Sequence, residues 1–124
     1  MNWNEMENFV GIDLNDSFVL GWELQESTLE FSLEASIWPD SKYYSKPKPE
    51  EYTCYKSAKL RFTSIESIDG LISQKQARFS RDKNNEKDYG NIDVLQKTIN
   101  GFLIEGDFGK VIINSGKMEF SIET

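Results

Sequence analysis

Nine carboxylates stand ahead of the first basic residue, Lys42: Glu5, Glu7, Asp13, Asp16, Glu23, Glu26, Glu30, Glu34 and Asp40. Acids at this density could do three things: hydrolyse a glycosidic bond as a pair, ligate a divalent cation, or present a one-sign surface to something cationic. Paired acids need a set separation across a cleft, and any acidic β-domain supplies pairs without it. A calcium loop needs oxygen ligands at fixed positions. The run Asp82-Lys83-Asn84-Asn85-Glu86-Lys87-Asp88, with Asp93 twelfth, has part of that spacing. It carries Lys87 where the sharp turn wants glycine and Asp93 where a bidentate glutamate belongs, and no helical pattern flanks it. We therefore read it as a solvated loop with local ion pairs, and expect neither metal nor cofactor.

Nucleophilic chemistry is poorly provided for. Histidine is absent, which excludes Ser-His-Asp and Cys-His arrangements and an imidazole–thiolate zinc site. Cys54, the only cysteine, lies in a strand-like pattern between Thr53 and Tyr55 and reads as a small half-buried hydrophobe. No catalytic residue is assigned and no enzymatic activity is expected. Trp38, Tyr43, Tyr44, Tyr52 and Tyr55 surround a proline-rich loop and could stack on a sugar or small ligand, or simply anchor that loop.

The remaining candidate is the acidic surface itself. Phe18, Leu20, Trp22 and Leu24 alternate with polar residues, as do Leu29, Phe31, Leu33, Ala35 and Ile37, which predicts a hairpin turning at Glu26-Ser27. Keeping both apolar sets on one face requires paired residue numbers to sum to 53, so Glu23 lies opposite Glu30 and Glu34 extends the row. Opposed like charges destabilise a sheet by a few tenths to about 1 kcal/mol. Either Lys59 and Arg61 of a neighbouring strand neutralise the row, or it meets a basic partner.

The other elements follow from the same period. Asn4 and Glu7 have capping-box spacing, predicting a short helix over Glu5–Phe9 that Gly11 ends. Residues 39–51 hold all three prolines and read as an exposed loop. Strands are expected over Tyr52–Thr63 (Ala58, Leu60 and Phe62 inward) and from Ile65 toward Ile72, with a polar surface loop from Gln74 to Asn91. Phe102–Glu105, Phe108–Asn114 and Lys117–Glu123 read as a three-stranded meander turning at Gly106-Asp107 and Ser115-Gly116. In that register Phe102 faces Val111, Val111 faces Phe120, and Gly109 lies between Ile104 and Ile122. About seven strands with regular turn signals predict an all-β fold, an antiparallel β-sandwich or flattened barrel, as one domain over 1–124. Phe18, Leu20, Trp22, Phe31, Leu33, Leu60, Phe62, Val111 and Phe120 are its expected core.

Composition narrows the partners. Twenty-one acids against fourteen bases give a net charge of −7 and a pI near 4.6, which repels nucleic acid and anionic membranes and favours a basic protein. One cysteine and the lack of a basic-then-apolar N-terminal run suggest a cytoplasmic chain. Self-association is left open.

Asp13-Leu14-Asn15-Asp16-Ser17-Phe18-Val19, followed by an alternating strand and then Leu60-Arg61-Phe62, resembles the opening of small bacterial β-domains with an H-D-S-x-V-like step, Asn15 standing where histidine is usual. Some of those domains are immunity proteins of polymorphic toxin systems. Asp88-Tyr89-Gly90 and Gly106-Asp107-Phe108-Gly109 look like signatures of an uncharacterised bacterial group. The resemblance points to an immunity-type module, and the acidic row read from strand parity supplies its expected partner-binding residues, Glu23, Glu30 and Glu34. The alternative is ligand or carbohydrate binding by Trp38, Tyr43, Tyr44 and Tyr55.

Overall fold

A computed structural model describes residues 1–49, 51, 53–82 and 85–123. Strand β1 spans Ile12–Gln25 and returns through the two-residue turn Glu26-Ser27 as β2, Thr28–Ile37. Glu26 takes φ 56° there, the left-handed conformation that lets a tight hairpin follow the twist of its strands. The register runs unbroken from Gln25 opposite Thr28 to Gly21 opposite Ser32, and Glu23 faces Glu30 as parity requires.

Beyond Gly21 the pattern changes. Register shifts between Val19 and Gly21 and between Asp13 and Phe18 put extra residues into β1. Val19 consequently becomes fully buried, while Phe18 pairs with Glu34 and Leu20 is only half-buried. The expectation that Phe18 and Leu20 belong to the core is thus corrected by a bulge that alternation cannot reveal. The bulge is pinned by buried Ser17, whose Oγ donates to the Asp13 carbonyl at 2.8 Å and accepts from the Ser36 amide at 3.0 Å. Asn15 adds a bond from Nδ2 to the Ile92 carbonyl at 2.9 Å, so both polar positions hold the fold together.

The chain continues through β3 (Cys54–Thr63), β4 (Ser67–Asp69), a small ribbon of β5 (Ser80–Arg81) and β6 (Lys87–Asp88), then β7 (Ile92–Lys97), β8 (Gly101–Gly106), β9 (Gly109–Asn114) and β10 (Lys117–Ile122). Two four-stranded antiparallel sheets result, ordered β1-β2-β3-β10 and β4-β9-β8-β7, and neither closes into a barrel. The expected meander is therefore cut. β8 and β9 pair, but β10 crosses to the first sheet and pairs with β3, Phe120 opposite Leu60. Ser115 and Gly116, both at positive φ (68° and 99°), carry the chain across. β7 is a strand that the reading of the sequence missed.

One hydrophobic cluster fills the space between the sheets. Phe31, Leu33, Leu60 and Phe62 come from the first sheet and Ile104, Val111 and Ile113 from the second, all buried; Trp22 and Phe120 pack against them half-exposed. The expected helix over Glu5–Phe9 is replaced by two 3-10 turns, Trp3–Glu5 and Glu7–Phe9, around an extended Met6 (φ −94°, ψ 138°). A continuous helix is not formed because the segment is tied elsewhere. Asn2 bridges to Gln96, the Lys97 amide donates to the Met1 carbonyl, and Met6 and Phe9 are buried in the core.

The two glycine-containing signatures make one structural unit. The β8–β9 turn is Asp107-Phe108, with Gly106 opposite Gly109, one residue later than expected. Instead of facing solvent, Phe108 folds into the core with no exposure, its ring 4.8 Å from Phe31 and 6.0 Å from Trp22. A Cβ on Gly106 would lie 2.7 Å from the Asn91 carbonyl, so glycine makes the room. Tyr89 joins the same cluster, 5.1 Å from Trp22, and its amide and the Gly90 carbonyl pair with Val19 of β1.

Candidate functional site

Pairing across the first sheet sets its outward side chains in rows. Glu23 lies beside Glu30, Glu30 beside Arg61, and Arg61 beside Glu119; the next row is Ser32, Lys59 and Ser121; a third starts with Phe18, Glu34 and Ser57. Glu23 and Glu30 are therefore neighbours, while Glu34 stands two rows away, separated by Ser32 and Lys59.

Their electrostatic settings differ. Glu30 Oε2 accepts hydrogen bonds from Arg61 Nη2 at 2.7 Å and Nε at 3.1 Å, and Lys59 Nζ lies 3.6 Å from its Oε1. Lys59 also donates to Ser32 Oγ at 2.8 Å and approaches Glu123 at 3.9 Å. The Arg61 hydrogen bond, opposed by slight desolvation and helped by the Arg61 and Lys59 charges, holds the Glu30 carboxyl below the usual range. The repulsion inferred from the Glu23–Glu30 pairing is compensated at Glu30 by these two cations. Glu30→Gln is expected to destabilise the protein by about 0.2–1 kcal/mol, the worth of an exposed ion pair, when urea melts are compared at low salt. The loss should shrink at high salt.

Glu34 is the opposite case. Half-buried, its carboxyl is pushed up first by burial and then by the charges of Glu51, Glu86 and Asp82, with Lys48 opposing. The β5–β6 ribbon brings two of these acids within electrostatic reach. The Asp82 side chain accepts from the Glu86 amide at 2.9 Å, which holds the two residues together. Glu34 lines a cleft of about 430 Å³ with Lys46, Lys48, Glu51, Tyr55 and Glu123 among its walls. A carboxyl with a raised folded-state pKa stabilises the protein most below its unfolded pKa, and that contribution is lost as pH rises through the folded value. Glu34→Gln should therefore raise stability at neutral pH by a few tenths of a kcal/mol, after allowance for solvent screening. The gain should fade as the pH of the melt is lowered through the carboxylate range.

The aromatic candidates do not share one surface. Trp38 is 42% exposed, and its amide bonds the Gly11 carbonyl. Tyr43 and Tyr44 pack on the core, and Lys42 Nζ sits 5.2 Å from the centre of the Tyr43 ring. Tyr55 is on the outer face of the first sheet, stacked at 5.2 Å on Phe18, with its hydroxyl 3.4 Å from Asp16. Tyr43 and Tyr55 line different clefts. Tyr52, Lys83 and Asn84 lie outside the described residues.

In the run suggestive of a calcium loop, Asp82 and Asp88 accept from the amides of Glu86 and Gly90, and Arg81 donates to the Asn85 carbonyl. Among the described residues, no group of three or more acids and cysteines is placed to hold a metal. Cys54 is buried, its Sγ 3.5 Å from the Ser45 amide. No helix among them is long and apolar enough to cross a membrane.

Reading by alternation missed the convergence of Glu51, Glu86 and Asp82 on Glu34, which depends on loops that carry no period. It also missed Glu119 and Glu123. Their odd parity would have set them outward beside Arg61 and Ser57, had β10 been placed in the first sheet. Comparison with protein-family models, curated proteins and solved structures found no match for the chain.

Proposed function

We propose that this protein is a non-catalytic binding module, of the immunity-protein type, whose first sheet receives a basic segment of a partner protein at Glu34. The observation that carries this reading is the place of Glu34, half-buried in a cleft with Glu51 and Glu123 and, among the described residues, in no ion pair of the kind that clamps Glu30, although Lys46, Lys48 and Lys56 also line that cleft; burial and the charges of Glu51, Glu86 and Asp82 push its carboxyl up. The outer face supports it. Glu23, Glu30, Glu34, Glu119 and Glu123 are set there against Lys59, Arg61 and Lys117, leaving a negative surface on a rigid sheet. A lysine or arginine entering the cleft would remove the repulsion on Glu34, and the surrounding field would speed the encounter.

An oligolysine peptide serves as the probe. Titrated at low salt, it should bind wild type with a steep salt dependence, and Glu34→Gln should weaken it about ten-fold, the loss of one charge-assisted contact. Glu105→Gln on the second sheet, which removes the same formal charge, should change affinity by no more than about two-fold. Equal losses in both variants would reduce the binding to net charge alone and overturn the reading.

A further inference from the structure

We propose that β10 is the seam of a homodimer, in which two copies of this chain pair their β10 strands antiparallel about a two-fold axis at Phe120. β10 is the terminal strand of its sheet, and its other edge has no strand partner among the described residues. The backbone geometry settles which groups face outward. The Glu123 amide donates to the Ser57 carbonyl, and those two positions continue the β10–β3 register. In an antiparallel pair the bonded positions alternate, so Lys117, Glu119, Ser121 and Glu123 bond β3, while the amides and carbonyls of Met118, Phe120 and Ile122 point to the open edge.

The sequence of β10 is complementary to itself in one register. With Phe120 opposite Phe120 of the second copy, Met118 falls opposite Ile122, and these are the residues whose backbone groups face the edge. About six hydrogen bonds then cross the axis. All three side chains are half-buried on the inner face, so the apolar layer continues from one copy into the next. On the outer face Lys117 falls opposite Glu123 at both ends, and Glu119 opposite Ser121. Opposite charges directly facing across a strand pair are favourable, and no like pair arises.

The 3-10 turn Glu7–Phe9 packs against the strand, its Phe9 ring 4.9 Å from that of Phe120, and a cleft opens on either side of the turn. A cleft of about 550 Å³ adjoins Met118, walled by Met6 and Phe102, and another of about 540 Å³ adjoins Phe120 and Ile122 beside Val10, a valine 73% exposed. In the proposed register Ile122 of the second copy approaches the first cleft and its Met118 the second. Lys117–Ile122 contains no proline, and its pairing with β3 has no bulge, so it lacks two of the devices that usually guard an open edge.

Sedimentation equilibrium of the whole chain tests this. Wild type should show a concentration-dependent dimer. Lys117→Glu, which sets like charges against each other at both ends, should weaken it about ten-fold, and the charge-swapped Lys117→Glu/Glu123→Lys should restore it. Hydrogen exchange supplies a second reading, independent of the variants. The amides of Met118, Phe120 and Ile122 should gain protection as protein concentration rises, while those of Glu119 and Ser121 are protected at all concentrations. A protein that stays monomeric at millimolar concentration overturns the proposal, as does a dimer that ignores Lys117→Glu and leaves the even-numbered amides unprotected.

Discussion

Phe108→Ala is expected to lower the stability of the protein by about 3–5 kcal/mol, the cost of emptying a fully packed aromatic site. Phe108 occupies a hairpin turn, where a large apolar residue would ordinarily be dispensable. Here its ring has no exposure and meets Phe31 at 4.8 Å and Trp22 at 6.0 Å, and Trp22 in turn meets Tyr89 at 5.1 Å. The surrounding backbone is fixed by the bonds from Trp22 Nε1 to the Ile72 carbonyl and from the Trp22 amide to Gln74, so little collapse can fill the void. Urea melts give the difference directly. A loss below about 1 kcal/mol, typical of exposed turn positions, would mean that the turn does not insert into the core.

Gly109→Val should cost about 3 kcal/mol or more, for a reason that differs from the one the sequence suggests. Alternation places Gly109 between Ile104 and Ile122 on a crowded sheet face. It lies instead opposite Gly106 at φ +119°, where a Cβ would run into the Gly70 carbonyl. Backbone strain and steric overlap therefore add. Because the obstruction begins at the first carbon, Gly109→Ala should already show most of the loss in thermal melts. An alanine variant as stable as wild type would show that this approach relaxes at no cost.

What could be read from the sequence follows from what keeps a period. The β1–β2 register was legible down to the Glu23–Glu30 pair, because a two-residue turn joins two strands whose apolar residues alternate without interruption. The inward set Ala58, Leu60 and Phe62 and the outward pair Lys59 and Arg61 were legible for the same reason. The site was legible only as a row of like residues. That Glu30 is clamped and Glu34 is not depends on where the β5–β6 ribbon and Glu51 fall, and no local pattern encodes that. Val19 replaced Phe18 and Leu20 in the core because a bulge shifts parity silently. β10 left the meander because a turn of Ser115 and Gly116 at positive φ fits a crossover as well as a hairpin. Ile92–Lys97 escaped because Asp93 and Val94 blur the alternation there.

The position of β10 also governs how the molecule reaches its fold. β1, β2 and β3 are consecutive, so their pairing closes short or moderate loops and can proceed early, whereas β3 meets β10 only after the whole second sheet has intervened. Pairings so distant along a chain slow folding, since the entropy of closing the loop is lost before any contact repays it. Until they form, the far edge of β3, with Leu60 and Phe62 beneath it, is open to any extended segment that passes. The time that strand waits for its last neighbour is the interval in which this chain is most exposed to aggregation.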